Sequence, residues 1–294
     1  GEEASPVYPA SFEYFAPTTV DEAISSLERF GDEAKVLAGG QSLIPLMKLR
    51  IAAPSALVDI GRIDGLDALE EQDGRLEIGA LVTHRTCERS ELLQGRYGVL
   101  GATAPLVSDP IVRNRGTVCG SVVHADPQGD WGSALLALGA EIVAEGPSGE
   151  RTIPLEDFSQ GPFMTALEPT EIVTAIRTAD PGTRAGGTYL KLERRIGDYA
   201  TVGVAVHVSL DNGTIGRAGI ALAGVGPTNV KAVEAESALA GASPDDNAIA
   251  EAARLAAEAA QPLDDVRGTA EYKRNVVRVF TERGLRTAIA AAQA

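Results

Sequence analysis

Two segments of the chain combine glycines with residue types that suit nucleotide binding. The first glycine segment, residues 37–45, carries Gly39 and Gly40 directly after an apolar stretch, and the second glycine segment spans residues 113–130. Glycines let a backbone approach a ligand closely, and free backbone N–H groups hold anions such as phosphate. Asp130 could accept a hydrogen bond from a sugar hydroxyl. The two segments are therefore predicted to form the two walls of one nucleotide site.

Both segments also have purely structural interpretations. The chain contains neither G-x-G-x-x-G nor a Walker A run, which disfavours a Rossmann NAD site and a P-loop. The first segment also fits a plain strand-to-turn connection. Asp130 also fits the N-cap of a helix, and Arg113 and Arg115 also fit solvated side chains or partners of acids on another chain.

A third group of charged residues is formed by Lys191, Arg195 and Asp198. A basic group beside a flavin ring stabilises its anionic reduced form. On the residues alone, however, a surface ion-pair network is the favoured interpretation of this group.

Composition narrows the classes of protein. The 294 residues suit two domains, or one large domain with an appendage. The net charge of −15 argues against a nucleic-acid partner, because phosphate contacts need a basic surface. No apolar run approaches the roughly 20 residues of a membrane span. Residues 1–6 are acidic and lack an apolar stretch, so no signal peptide is predicted.

Cysteine and histidine counts limit metal chemistry. Two cysteines, Cys87 and Cys119, exclude in practice both a disulfide framework and a four-cysteine iron–sulfur cluster held by this chain alone. His84, His124 and His207 lack the spacing of metal ligands. The low cysteine count indicates a cytoplasmic protein without a metal site of its own.

Periodicity and turn signals predict the order of the elements. A short strand, a helix capped by Thr19, a strand and the first glycine segment open the chain as a small parallel α/β layer. Asp73-Gly74 marks a hairpin, and helices are predicted over residues 83–93, 97–107 and 130–138. A linker near residues 180–187 precedes more strands and three alanine-rich helices.

Taken together, the motifs resemble the flavoprotein (medium) subunit of the molybdenum hydroxylases. They are A-G-G-x-S-L at 38–43, R-N-x-G-T-[IV]-x-G-[SN] at 113–121, A-D-P-x-x-D at 125–130 and K-x-x-x-R-x-x-D-x-A at 191–200. The resemblance is closest to the aerobic carbon monoxide dehydrogenase type and more distant to xanthine dehydrogenase. It covers nearly the whole chain, from Phe12 to the C-terminal helices.

The resemblance implies an α+β fold. A two-subdomain, PCMH/VAO-like FAD-binding domain (1–180, subdomains about 1–62 and 63–180) precedes a C-terminal domain (181–294) of a three-stranded antiparallel sheet with a three-helix bundle. Backbone groups of both segments would hold the pyrophosphate, Asp130 a ribose hydroxyl, and Lys191 would approach the isoalloxazine. The implied FAD-binding residues are Lys35, Val36, Leu37, Ala38, Gly39, Gly40, Gln41, Ser42, Leu43, Val107, Thr117, Val118, Cys119, Gly120, Ser121, Ala125, Asp126, Asp130, Val173 and Lys191.

Two positions depart from the family pattern. Cys119 stands where the family usually has the first of two glycines, and Gln41 where relatives often have histidine. If φ at Cys119 is positive or the ligand lies close, its Cβ crowds the pyrophosphate; if φ is negative, the segment tolerates the side chain. A buried small residue is the favoured role of Cys119, with a reactive thiol as the alternative. His124, inside the motif, is expected to be structural.

The resemblance also implies a division of labour. This chain would bind FAD and carry electrons from a small [2Fe-2S] subunit to an external acceptor such as a quinone, while a large subunit holds the molybdenum pterin cofactor. The expected assembly is a dimer of heterotrimers, cytoplasmic or peripheral at the inner face of the membrane, with no catalytic residue in this chain. The alternatives are a self-contained FAD-dependent oxidase, which the 4% aromatic content disfavours, and a non-enzymatic assembly subunit with a decayed flavin site.

Overall fold

The computed structural model of the protein describes residues 8–294. The acidic segment 1–6, for which no signal peptide is predicted, lies outside these residues. Within the described part, no helix has both the length and the apolar character needed to cross a bilayer. Apolar side chains form three cores. Two of them share the strands 202–211 and 214–223, because Ala205 and Ala221 belong to one core and Val204 and Leu222 to the other.

A small parallel sheet opens the chain, as the sequence predicts. Thr19 caps the first helix by accepting from the N–H of Glu22, and Gly31, at φ 54°, ends it. Val58 pairs with both outer strands, so the third strand lies in the middle. The elements are β1 (Glu13–Phe15), α1 (Val20–Phe30), β2 (Ala34–Leu37), α2 (Leu43–Lys48) and β3 (Ala56–Asp59).

An antiparallel sheet and seven short helices follow. The strands are β4 (Leu69–Gln72), β5 (Arg75–Gly79), β6 (Glu141–Gly146), β7 (Gly149–Pro154), β8 (Ser159–Gly161), β9 (Met164–Thr165) and β10 (Ile172–Arg177). The helices are α3 (His84–Arg89), α4 (Glu91–Gln94), α5 (Gly98–Thr103), α6 (Pro110–Arg113), α7 (Val118–His124), α8 (Asp130–Ala137) and α9 (Leu155–Phe158). Five strands pair in the order β4-β5-β10-β6-β7, and β8 pairs with β9.

Two local predictions for this part need correction. The helix predicted over residues 83–93 divides at Ser90, whose ψ of 119° is extended and separates α3 from α4. The second glycine segment is not a continuous loop, because α6 ends at its first residue, Arg113, and α7 lies within it. Asp109 and Thr117 begin these helices, each accepting a hydrogen bond from a backbone N–H three residues later.

The C-terminal part is an antiparallel sheet covered by helices. Its elements are β11 (Ala185–Leu192), β12 (Val202–Asp211), β13 (Thr214–Ala223), β14 (Val230–Lys231), α10 (Val233–Leu239), α11 (Asp246–Ala259) and α12 (Ala270–Gln293). The three long strands pair in sequence order, with the two-residue β14 at the edge of β13. The helix α12 packs against β11 and β12 through Gly284, which lies against Val206 and Leu190. The predicted α+β architecture is confirmed, while the domain boundaries stay predictions.

Candidate functional site

The two glycine segments meet at one cleft. A Cβ built on Gly39 would lie 2.0 Å from the carbonyl oxygen of Arg115, so glycine is required there because the two backbones touch. Gly40 has φ +74°, which favours glycine. The cleft between the segments has a volume of about 410 Å³, within the range of about 300–1,000 Å³ typical of small-molecule sites.

Sixteen of the twenty predicted FAD-binding residues line this cleft. They are Lys35, Val36, Leu37, Ala38, Gly39, Gly40, Gln41, Ser42, Leu43, Val107, Thr117, Cys119, Gly120, Ser121, Asp130 and Val173. Val118, Ala125, Asp126 and Lys191 are not among the lining residues. The structure therefore brings the two segments together as walls of one site, and the ligand contacts of the individual residues stay predictions.

The first wall presents unpaired backbone donors. Among residues 8–294, nothing accepts a hydrogen bond from the N–H groups of Gly39, Gly40, Gln41 or Ser42, all of which line the cleft. Successive free N–H groups in a turn form a cradle for an anion. This donor set fits a phosphate-containing ligand.

Cys119 belongs to the second wall, and its φ angle decides whether its side chain strains the backbone. The residue lies in the first turn of α7 with a negative φ, so its side chain is compatible with the backbone. Its Sγ lies 3.5 Å from the carbonyl oxygen of Ile78 and 3.6 Å from that of Gly79, in the core. Burial raises the pKa of the Cys119 thiol well above its ordinary value. The sulfur atom is therefore packed in the core, and the thiol is not a reactive thiolate.

Asp130 is held by two side chains from the C-terminal sheet. The N-cap of α8 is Gly129, so the alternative role of Asp130 as N-cap is wrong. Its carboxylate accepts from the hydroxyl of Tyr189 at 2.8 Å and from Nζ of Lys191 at 2.9 Å. Burial raises the pKa of Asp130, and these two partners offset part of that rise. Asp130 lines the cleft, and these two hydrogen bonds fix the orientation of its carboxylate.

Lys191 lies behind Asp130 and not at the surface of the cleft. Its side chain is 2% exposed, and Nζ also donates to the carbonyl oxygen of Leu106 at 3.0 Å. The structure therefore replaces the surface ion-pair network, considered from sequence, with a buried pair. The approach of Lys191 to an isoalloxazine stays a prediction.

The turn before Asp130 is fixed by the C-terminal part as well. Nδ2 of Asn229 donates to the carbonyl oxygens of Pro127 and Gly129, each at 3.3 Å. The N–H of Gly224 also donates to Pro127, at 2.8 Å. One end of the cleft thus depends on contacts between distant parts of the chain.

Several lining residues were not predicted. They include His84, Ser108, His124, Glu171, Asp198 and Tyr199. Asp198 belongs to the third charged group and pairs with Arg267 at 3.3 Å, which fixes the loop carrying Tyr199. His124 contacts the ring of Phe163, with 5.1 Å between centroids, which suits the structural role expected for it. His84 had no spacing signal, because its partner Trp131 is 47 residues away in sequence.

Comparisons with known proteins match the whole architecture. The family model for the FAD binding domain in molybdopterin dehydrogenase matches residues 10–178, and the CO dehydrogenase flavoprotein C-terminal domain matches residues 187–288. The carbon monoxide dehydrogenase medium chain of Hydrogenophaga pseudoflava is 39% identical, over 95% of this chain and 98% of the relative. The 6-hydroxypseudooxynicotine dehydrogenase complex subunit alpha of Paenarthrobacter nicotinovorans is 36% identical, over 96% and 95%.

A solved structure agrees with this assignment. The carbon monoxide dehydrogenase of Hydrogenophaga pseudoflava lacking the Mo-pyranopterin moiety has a chain that superposes with a TM-score of 0.92 at 41% identity, covering 96% of this chain and 99% of that one. The chain therefore belongs to the FAD-binding flavoprotein (medium) subunits of the molybdenum hydroxylases, in the carbon monoxide dehydrogenase family.

Proposed function

We propose that this chain binds FAD in the cleft between its glycine segments and serves as the electron-carrying subunit of a molybdenum hydroxylase of the carbon monoxide dehydrogenase type. A small [2Fe-2S] subunit and a large subunit with the molybdenum pterin cofactor complete the complex, as a dimer of heterotrimers. Bound FAD supplies the redox chemistry between the iron–sulfur subunit and an external acceptor such as a quinone. Two free, buried cysteines suit a cytoplasmic complex.

The row of free N–H groups in the first glycine segment carries this proposal. Gly39, Gly40, Gln41 and Ser42 present four consecutive backbone donors to the cleft, and no residue of the described range 8–294 accepts from them. Such donors are costly to leave unpaired when water is excluded, so an anionic ligand accepting from them is strongly favoured. The pyrophosphate of a dinucleotide has the charge and the acceptor oxygens that this cradle requires.

Other residues of this chain would orient the remainder of the ligand. Asp130 would accept from a ribose hydroxyl, since the residue lines the cleft and its carboxylate is held by Tyr189 and Lys191. Val107 and Val173 would contact apolar ring surface and exclude water. These residues bind and orient, and none is assigned a proton transfer to or from the substrate.

The testing experiment is an absorption spectrum of the purified complex and of this chain alone. The proposal predicts the two visible and near-ultraviolet bands of an oxidised flavin, lost together with FAD released by acid. A complex that stays colourless after addition of FAD would overturn the redox role and leave the assembly role. Substrate-driven bleaching of the flavin in this chain alone would instead favour the self-contained oxidase.

A further inference from the structure

His84 and Trp131 form a buried hydrogen bond beside the cleft. The indole Nε1–H of Trp131 donates to Nδ1 of His84 at 2.9 Å, and the two rings lie edge to edge, with 5.9 Å between centroids and 21° between their planes. The histidine is 4% exposed and the tryptophan is fully buried. A neutral imidazole carries one proton, and the nitrogen that accepts from an indole does not hold it. The proton of His84 is therefore on Nε2.

Within residues 8–294, no group accepts a hydrogen bond from the Nε2–H of His84. This nitrogen is not fully buried, and His84 lines the cleft. A Cβ built on Gly116 would lie 2.7 Å from Nε2, so the donor lies at the glycine that follows Arg115. Gly39 touches this same backbone from the other wall. The free donor of His84 thus lies at the junction of the two glycine segments, beside the free N–H groups of the first.

An N–H group that lies in a binding cleft without a protein acceptor indicates a hydrogen-bond acceptor on the bound ligand. Desolvation and the nearby Arg113 lower the pKa of His84 to about 4, so the ring is neutral at neutral pH. Arg113 is itself paired with Glu88 at 3.2 Å and with backbone carbonyls, and so is committed elsewhere. His84 therefore offers at this junction a side-chain donor that no residue between 8 and 294 uses.

We propose that neutral His84 donates from Nε2 to a phosphate oxygen of the dinucleotide, and that Trp131 is a positioning residue that fixes the required tautomer. This inference rests on the proposed function, since it assigns a contact in the FAD site. Removing the indole donor would allow the alternative tautomer, in which a bare Nε2 lone pair would face the phosphate oxygen.

The test measures dissociation constants of FAD, ADP and adenosine with the full chain assembled in its complex. His84→Leu should weaken FAD and ADP tenfold to a hundredfold, since hydrogen bonds to charged groups are strong, and should leave adenosine within about twofold. His84→Gln should restore most of the loss, because its amide carries both an acceptor for Trp131 and a donor for the phosphate.

Trp131→Phe provides an independent arm that keeps His84 in place. It should weaken ADP several-fold and leave adenosine unchanged, with ¹⁵N NMR of His84 showing a tautomer mixture where the wild-type complex shows the Nε2–H form. Exposed Asn247→Ala, on α11, serves as the control and should change nothing. If the complex with His84→Leu does not assemble, the measurements on Trp131→Phe test the proposal by themselves.

The outcomes separate the two proposals. A wild-type complex that binds no FAD overturns the proposed function. A wild-type complex that binds FAD, with His84→Leu or Trp131→Phe equal to it for ADP, overturns the assignment of His84 alone. Equal losses for ADP and adenosine would also overturn it, because they would indicate a general structural defect.

Discussion

Tyr189 donates a hydrogen bond of 2.8 Å from its hydroxyl to Asp130, joining the C-terminal sheet to the first residue of α8. The two residues are 59 positions apart, and both are buried. Gly203 leaves room for the contact, since a Cβ there would lie 2.1 Å from the tyrosine hydroxyl. The orientation of the cleft carboxylate is therefore determined by the C-terminal part of the chain.

Tyr189→Phe is expected to remove that donor while keeping the ring. A buried acceptor that loses a partner costs about 1–3 kcal/mol, and a less constrained Asp130 should weaken FAD several-fold. Urea unfolding and FAD titration of the complex measure the two effects. Tyr272→Phe, at an exposed tyrosine of α12, is the matched control. An unchanged FAD affinity would show that Asp130 does not need this partner.

Lys191→Met is expected to destabilise the protein strongly at neutral pH. The substitution leaves the buried carboxylate of Asp130 without its counter-ion, and breaking a buried pair typically costs about 3–5 kcal/mol. The double variant with Asp130→Asn should regain much of that loss, because the uncompensated charge is gone. Equilibrium unfolding of the three variants measures this coupling, and strictly additive losses would contradict it.

Local signals in the sequence predict much of the fold. Thr19 and Gly31 mark the ends of α1, and Asn212-Gly213 marks the hairpin between β12 and β13, because caps and tight turns depend on a few adjacent residues. The break at Ser90 has no such signal. The sequence does not predict the helix α7 either, because its glycine and β-branched residues disfavour a helix in isolation.

The sequence predicts the backbone walls of the cleft, because each wall carries a local glycine motif. It does not predict the side-chain contacts that form between distant parts of the chain. The composition of the two glycine segments predicts that they form one site. The partners of Asp130 come from β11, and the partner of His84 is Trp131 in α8. These contacts depend on tertiary packing, which no spacing along the chain encodes.

Cys119→Gly is expected to leave FAD affinity unchanged and to lower stability by about 1 kcal/mol or more. The side chain points toward the carbonyl oxygens of Ile78 and Gly79, and glycine is unfavourable inside a helix by about 1 kcal/mol. Burial also raises the pKa of Cys87 to about 12. Neither thiol should therefore react with a neutral-pH thiol reagent before unfolding. A tighter FAD complex in the variant would revive the crowding hypothesis.

Gly39→Ala is expected to open the cleft. The added Cβ would lie 2.0 Å from the Arg115 carbonyl oxygen, so the two backbones must separate. Overpacking of this kind costs about 1–3 kcal/mol, and FAD affinity should fall at least tenfold. Gly161→Ala is the matched control, because the nearest atom, Sδ of Met164, is 3.7 Å away. FAD titration and thermal unfolding measure the pair, and equal behaviour of both variants would refute the contact.

Stability is expected to fall as the pH is lowered from about 6.5 to about 4. Burial lowers the pKa of His84 and of His207 from 6.5 to about 4, with help from Arg113 and Arg217 respectively. Across this window the unfolded chain binds protons that the folded chain does not, so each histidine lowers stability by up to about 1.4 kcal/mol per pH unit. Burial raises the pKa of Asp130, so its carboxyl binds a proton in the folded chain before it does so in the unfolded chain. This residue therefore adds stability as the pH falls.

His207→Gln isolates one of these contributions. Nε2 of His207 lies 3.1 Å from the Pro181 carbonyl oxygen, and the glutamine amide can donate to the same acceptor without titrating. The variant should retain at least about half of the histidine-dependent slope between pH 6.5 and 4, because burial also lowers the pKa of His84 and of His124. The opposing contribution of Asp130 cancels in the comparison. Urea unfolding at half-unit pH steps measures both slopes. Identical slopes would mean that His207 has the same pKa in the folded and the unfolded chain, which would contradict the pKa shift attributed to its burial.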